Sequence, residues 1–121
     1  MKVYEKMTDH QLNVEFLKMI RHKCGFDNDK DIVSHPHDAD GRSVGVVQNG
    51  EYYWYDFCFS PSDSFRFMMN GGVTQIKLQN GLWYAITEFK GEKLPRYSAM
   101  SDHPLKAGVI ALLKEYEAGE S

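Results

Sequence analysis

One stretch of this sequence gathers most of the side chains that bind cations. Between residues 26 and 43 stand Asp27, Asp29, Asp31, Asp38 and Asp40, with His35-Pro36-His37 and Gly41 among them. Asp27, Asp29 and Asp31 have the first, third and fifth positions of a calcium loop, where alternate carboxylates surround a hard cation. The pattern then fails. Ile32 takes the sixth position, which wants glycine for a sharp turn, and Asp38 takes the twelfth, one methylene shorter than the bidentate Glu. A solvated acidic loop is the default for such a segment. His35 and His37 alternate on an extended stretch and so face the same way, which with Asp38 and Asp40 makes them weak candidates for a transition-metal site. Pro36 and the lack of a second paired cluster weigh against that site. Covalent chemistry finds less support. Cys58, inside Phe57-Cys58-Phe59, reads as a buried inert thiol. Cys24, near a helix C-terminus, has the wrong dipole to become a thiolate. No nucleophile elbow, phosphate loop or dinucleotide fingerprint occurs. The expectation is a protein that is not an enzyme and takes no cofactor.

The run Tyr52-Tyr53-Trp54-Tyr55 supports two readings. One is sheet core covered by helices. The other leaves Tyr53 and Tyr55, or Tyr84 farther along, open as partner anchors, since tyrosine brings large area at low entropy cost. Stacking on single-stranded nucleic acid would use the same rings, but it wants basic neighbours. Glu51 and Asp56 flank the run instead.

The elements that must carry these residues are well signed. Thr8-Asp9-His10-Gln11 has the spacing of a capping box, with Met7 and Leu12 at the positions of a hydrophobic staple. Leu12, Phe16, Met19 and Ile20 follow at helical spacing, and Gly25 suits the close, which predicts a helix over 9–24. Residues 26–43 show no period. Two hairpins follow, over 44–58 and 73–89, each built on Gln-Asn-Gly: Asn49-Gly50 and Asn80-Gly81 are the favoured pairs for a two-residue turn. Those turns set Val47 against Tyr52, Gly45 against Trp54, Leu78 against Trp83 and Ile76 against Ala85. Gly45 leaves room for the Trp54 indole. Both faces of the first hairpin are apolar or aromatic, as in a sheet covered on two sides. Ser60-Pro61-Ser62-Asp63 opens a short helix over 60–70 that ends at Gly71-Gly72. Asp102 or His103 caps a last helix over 104–117, with Leu105, Val109, Leu112, Leu113 and Tyr116 as its apolar stripe. Gly108 within it implies close approach to a strand or helix. The fold expected is α+β, in the order α-β-β-α-β-β-α: one four-stranded antiparallel sheet from the two Asn-Gly hairpins, with helices on one or both faces.

Composition bounds the rest. The chain of 121 residues, 42% hydrophobic and 26% charged, fits a single folded domain over 1–121. A formal charge of −3 argues against a general nucleic-acid coat. No run approaches the roughly eighteen apolar residues of a spanning helix. The opening MKVYEKMTDHQ lacks a secretory pattern, and two cysteines suit a reducing cytosol, so a cytoplasmic protein without membrane contact is expected.

Three segments carry a resemblance. Phe59-Ser60-Pro61-Ser62-Asp63 resembles the aromatic-x-Pro-Ser-Thr-Asp segment of the NinX-like proteins and related phage α-β-α sandwich domains. Asn80-Gly81-Leu82-Trp83-Tyr84-Ala85 resembles their Gly-x-Trp-x-Ala strand, and His103-Pro104-Leu105-Lys106-Ala107 their Pro-Leu-x-Ala helix start. The resemblance covers the C-terminal half, from Tyr55 to Glu117. It implies a phage or prophage origin and accessory proteins that bind a host or phage protein; it brings no catalytic residues. The functional expectation is therefore a protein that binds and inhibits a host protein of a nucleic-acid-binding defence system. Asp27, Asp29, Asp31, Asp38 and Asp40 would imitate phosphates in a basic groove, with Tyr53, Tyr55 and Tyr84 as aromatic contacts. The alternatives are a metal-dependent enzyme centred on His35 and His37, and an accessory protein that oligomerises through an open sheet face.

Overall fold

The structure is a computed structural model, and it describes residues 3–25, 30–33, 41–70, 73–87 and 97–120. After a 3-10 turn at Tyr4–Lys6 come helix α1 (Asp9–Lys23), strands β1 (Ile32–Val33), β2 (Val44–Gln48) and β3 (Glu51–Tyr55), helix α2 (Pro61–Asn70), strands β4 (Val73–Gln79), β5 (Leu82–Thr87) and β6 (Tyr97–Ser101), and helix α3 (Pro104–Glu120). The capping box of α1 is present in both directions. Gln11 N–H donates to Thr8 Oγ1 at 3.1 Å, and Thr8 N–H donates to Gln11 Oε1 at 2.9 Å. Both Asn-Gly turns hold two successive positive φ angles, 55° and 78° at Asn49-Gly50 and 52° and 82° at Asn80-Gly81. They set the strand partners expected from the sequence.

The sheet differs from expectation. Among the described residues the hairpins do not join into one four-stranded layer; each acquires a third strand of its own, in the orders β1-β2-β3 and β4-β5-β6. The acidic stretch contributes β1, which lays Ile32 against Val46 and Val33 against Gly45. Ile32 is thus extended where a calcium loop would turn sharply. Tyr97–Ser101 adds antiparallel to β5, pairing Ala99 with Ala85. The element order becomes α-β-β-β-α-β-β-β-α, and the last helix runs three residues beyond its predicted end at Glu117.

The cause lies in α3. Every residue from 107 to 113 is buried, which is about two turns with no side facing water. The predicted stripe omitted Ala107, Ile110 and Ala111, whose exposures are 0%, 1% and 0%. A helix apolar all round must be covered all round. The second sheet covers one flank of α3, while α1 and α2 lie against it elsewhere. The first sheet instead lies on α1.

Two glycines make the close approaches possible. A Cβ on Gly45 would lie 2.7 Å from Trp54 Cζ3 across the strand pair. One on Gly108 would lie 2.7 Å from Met68 Sδ, so α2 is the neighbour that excludes a side chain there. Asp9, in the first turn of α1, pairs with Lys106, in the first turn of α3, at 2.8 Å. His103 caps α3, its Nδ1 accepting from Leu105 N–H at 3.3 Å. Among the described residues no helix is long and apolar enough to cross a membrane.

Gly108→Val should destabilise the protein by about 1–3 kcal/mol through overpacking against Met68. In a double-mutant cycle, Met68→Ala should cost less in the Gly108→Val background than alone; strictly additive costs in chemical denaturation would remove this packing account.

Candidate functional site

A buried polar junction ties α1 to the turn after β3. Asn13, fully buried, donates through Nδ2 to Arg42 carbonyl O at 2.9 Å and to Asp56 Oδ1 at 3.1 Å, while its Oδ1 accepts from Cys58 N–H at 3.2 Å. Arg42 Nε donates to the other Asp56 oxygen. The Arg42 guanidinium also sits 4.6 Å above the Phe59 ring. Asp63, in the first turn of α2, accepts from Asp56 N–H at 2.9 Å. One amide and two carboxylates therefore fix where α1, β3 and α2 meet. Asn13 stands beside Leu12 in the apolar stripe of α1, a polar residue at a core position, and that is the sequence signal that the pattern reading passed over.

Around this junction four aromatic rings pack in sequence. Phe57 lies 4.9 Å from Phe16, 6.2 Å from Phe67 and 5.7 Å from Tyr55, the last pair stacked. Tyr55, Phe57 and Phe67 form one side of a cleft of about 380 Å³ between α1, the first sheet and α2. Helix α1 turns Leu17, Ile20 and Arg21 into it, the i, i+3, i+4 set of one helical face. Strand β2 supplies Val46 and Gln48, and α2 supplies Ser62, Asp63, Arg66 and Phe67. Arg21 is 13% exposed and paired with Asp31 at 3.7 Å. Neither arginine stands out in the sequence. Arg21 follows Ile20 at the margin of an apolar stripe, and Arg66 precedes Phe67 in a helix read only for its caps.

The described residues among the predicted contacts do not form one patch. Asp27, Asp29, Asp38, Asp40, His35 and His37 lie outside the described residues. Asp31 sits in the turn before β1, exposed, with Arg21 as its ion partner. Tyr55 is half-buried and lines the cleft. Tyr53 stands on the same face of β3, 40% exposed, and its hydroxyl donates to Glu51 Oε2 at 2.8 Å, which raises its pKa. Tyr84 is half-buried between Lys77 and Met100 in the other sheet, so the structure does not join it to Tyr53 and Tyr55 in one patch of sheet. Two-sided burial of the first hairpin is also corrected. Tyr52 is 62% exposed on an outermost strand of its sheet and stacks on Trp54 at 6.2 Å.

Among the described residues no three His, Cys, Asp or Glu side chains converge as a metal-ion group. Cys58 is fully buried, in the turn after β3, and desolvation first, then the charges of Asp9 and Asp56, push its thiol far above the ordinary value of 9.0. Cys24 is exposed.

Replacing Asn13 by Ala leaves the Cys58 N–H and one Asp56 oxygen without their partner and should cost about 2–4 kcal/mol. Asn13→Asp keeps the acceptor for Cys58 N–H but sets a second buried carboxylate against Asp56 and should cost at least as much at neutral pH; denaturant titration measures both, and a cost below that of a surface substitution would dismiss the junction. The raised thiol sets a pH window. Cys58 stays protonated when folded but ionises in the unfolded chain, so its contribution is complete below pH 9 and fades as pH rises beyond it. Thermal melts should be flat from pH 7 to 8 and fall above 9, with Cys58→Ala flattening that fall, while a thiol reagent at pH 8 labels Cys24 alone until denaturant is added. Equal labelling of both cysteines in the native protein would contradict this. No protein-family model matches the chain, and no curated protein is detectably similar to it.

Proposed function

We propose that the protein acts by contact and not by catalysis, as a phage or prophage accessory protein that binds and inhibits a host protein. The observation that carries this reading is the exposed aromatic edge of β3, with Tyr52 and Tyr53 at 62% and 40% exposure on an outermost strand. Large rings left in water forgo about 25 cal/mol for each Å² of apolar surface, and a partner that covers them recovers it. Such rings at the centre of an interface are typical energetic anchors. The target class is a nucleic-acid-binding defence system, of CRISPR type or another nuclease. Support for it comes from the net charge of −3, the carboxylates Asp27, Asp29, Asp31, Asp38 and Asp40, and the resemblance of the C-terminal half to phage accessory proteins. Acidic surface steers towards a basic groove, and the tyrosines then hold what the charge has brought.

Affinity capture from bacterial lysate tests the reading. The wild-type chain should retain a basic nucleic-acid-binding protein, with retention weakened by salt. The double variant Tyr52→Ser/Tyr53→Ser should lose at least about tenfold of that binding while the chain remains folded, as circular dichroism checks. Reversing the charge of Asp27, Asp29 and Asp31 should weaken capture and flatten its salt dependence. Retention that ignores both variants would end the proposal.

A further inference from the structure

The cleft beside the polar junction brings two guanidiniums to one mostly apolar wall. In a protein of net charge −3, its wall carries two guanidiniums, Arg21 and Arg66, against one carboxylate, Asp63. That carboxylate already accepts the Asp56 N–H and is held by it. The rest of the lining is chiefly hydrocarbon, with Leu17, Ile20, Val46 and Phe67 prominent. Each arginine is positioned before any ligand arrives. Arg21 is largely buried in the wall and anchored by Asp31 at 3.7 Å. Arg66, on the exposed side of α2, lies with its Cζ 4.7 Å from the Phe67 ring centroid. A guanidinium laid on a ring spends its face on the aromatic and keeps its N–H donors, which lie in its own plane, for an acceptor beside the ring. A carboxylate is the acceptor whose fork matches that edge.

We propose that this cleft is a binding site for a small carboxylate with an apolar body, a medium-chain aliphatic or aromatic acid. Its hydrocarbon lies against Leu17, Ile20, Val46 and Phe67, and its carboxylate meets the guanidiniums of Arg66 and Arg21. The volume of about 380 Å³ is at the lower end of the range for small-molecule pockets, which spans roughly 300–1,000 Å³. Walls come from two helices and a sheet, so the space is bounded on three sides and suits a compact molecule better than a continuing strand or helix. Tyr52 and Tyr53 are not among the described residues that line this cleft, so the site shares with the docking reading only Asp31, the ion partner of Arg21.

Isothermal titration and two-dimensional NMR with octanoate test the site on the full chain. Octanoate should bind one-to-one with a dissociation constant on the order of a millimolar, as its size allows. Shifts should concentrate at Leu17, Arg21, Val46 and Tyr55. Octanol and octylamine should bind at least about tenfold more weakly, because neither offers the two guanidiniums a carboxylate. Arg66→Ala, at an exposed position that leaves the core intact, should weaken octanoate about tenfold and barely affect octanol. Ser62→Tyr, which adds bulk at the rim, should weaken both. The proposal is overturned by lack of saturable binding at about ten times that concentration, by octylamine binding as well as octanoate, or by shifts that map elsewhere. A capped acidic peptide such as acetyl-Phe-Asp-Asp-amide binding where octanoate does not would overturn it in favour of a protein segment.

Discussion

A helix without a polar flank has to be enclosed, and α3 is such a helix. Its buried residues from 107 to 113 leave no side for water, so one covering layer cannot suffice. The second sheet supplies one cover and α1 with α2 another. Small side chains make the enclosure tight: Ala107 and Ala111 on the helix, Ala85 and Ala99 on adjacent strands, and Gly108 where Met68 presses in. With the second hairpin committed to α3, the first is left to cover α1. The division into two three-stranded sheets follows from this demand for cover and not from any weakness in the hairpins.

Helix α1 consequently serves two neighbours, and its polar core residue lies at the boundary between them. Asn13 cannot be satisfied by its own helix through its side chain, so the chain after β3 must deliver groups to it. Asp56 and the Cys58 N–H meet that need, and Arg42 neutralises the carboxylate. Buried polar groups penalise every alternative arrangement in which a partner is missing, and so they select one docking geometry. Here the geometry selected places the Phe57 and Phe67 rings beside α1 and opens the cleft lined by Arg21 and Arg66.

Local features were legible in the sequence wherever a few adjacent residues determine the outcome. The capping box, both Asn-Gly turns and their registers, and the room that Gly45 leaves for Trp54 are all set within one hairpin or one helical turn. Gly108 also announced its close contact, although not that Met68 makes it. Features that depend on distant segments were not legible. Ile32 and Val33 form too short a run to show a period, and they become a strand because β2 presents an open edge. The Asn13 junction joins positions dozens of residues apart, and the arginines of the cleft lie on helices with no sequence relation. A stripe shows only as contrast between helix faces, and alanine at 107 and 111 gives little contrast in either direction.

The charge distribution would let one small chain offer both proposed surfaces. The acidic side chains cluster in a segment joined to the first sheet through β1, whereas the arginines of the cleft are turned towards apolar walls. Asp31 belongs to both settings, since its carboxylate lies at the surface and its partner is Arg21. An anion entering the cleft would compete with Asp31 for that guanidinium, and an interaction that draws Asp31 outward would release it. At 3.7 Å the pair is long for a charge-assisted hydrogen bond, so either event moves it at small cost. The proposed cleft ligand and the proposed partner of the acidic segment would therefore meet at one exposed carboxylate, and by linkage whatever one did to the other would be returned in equal measure.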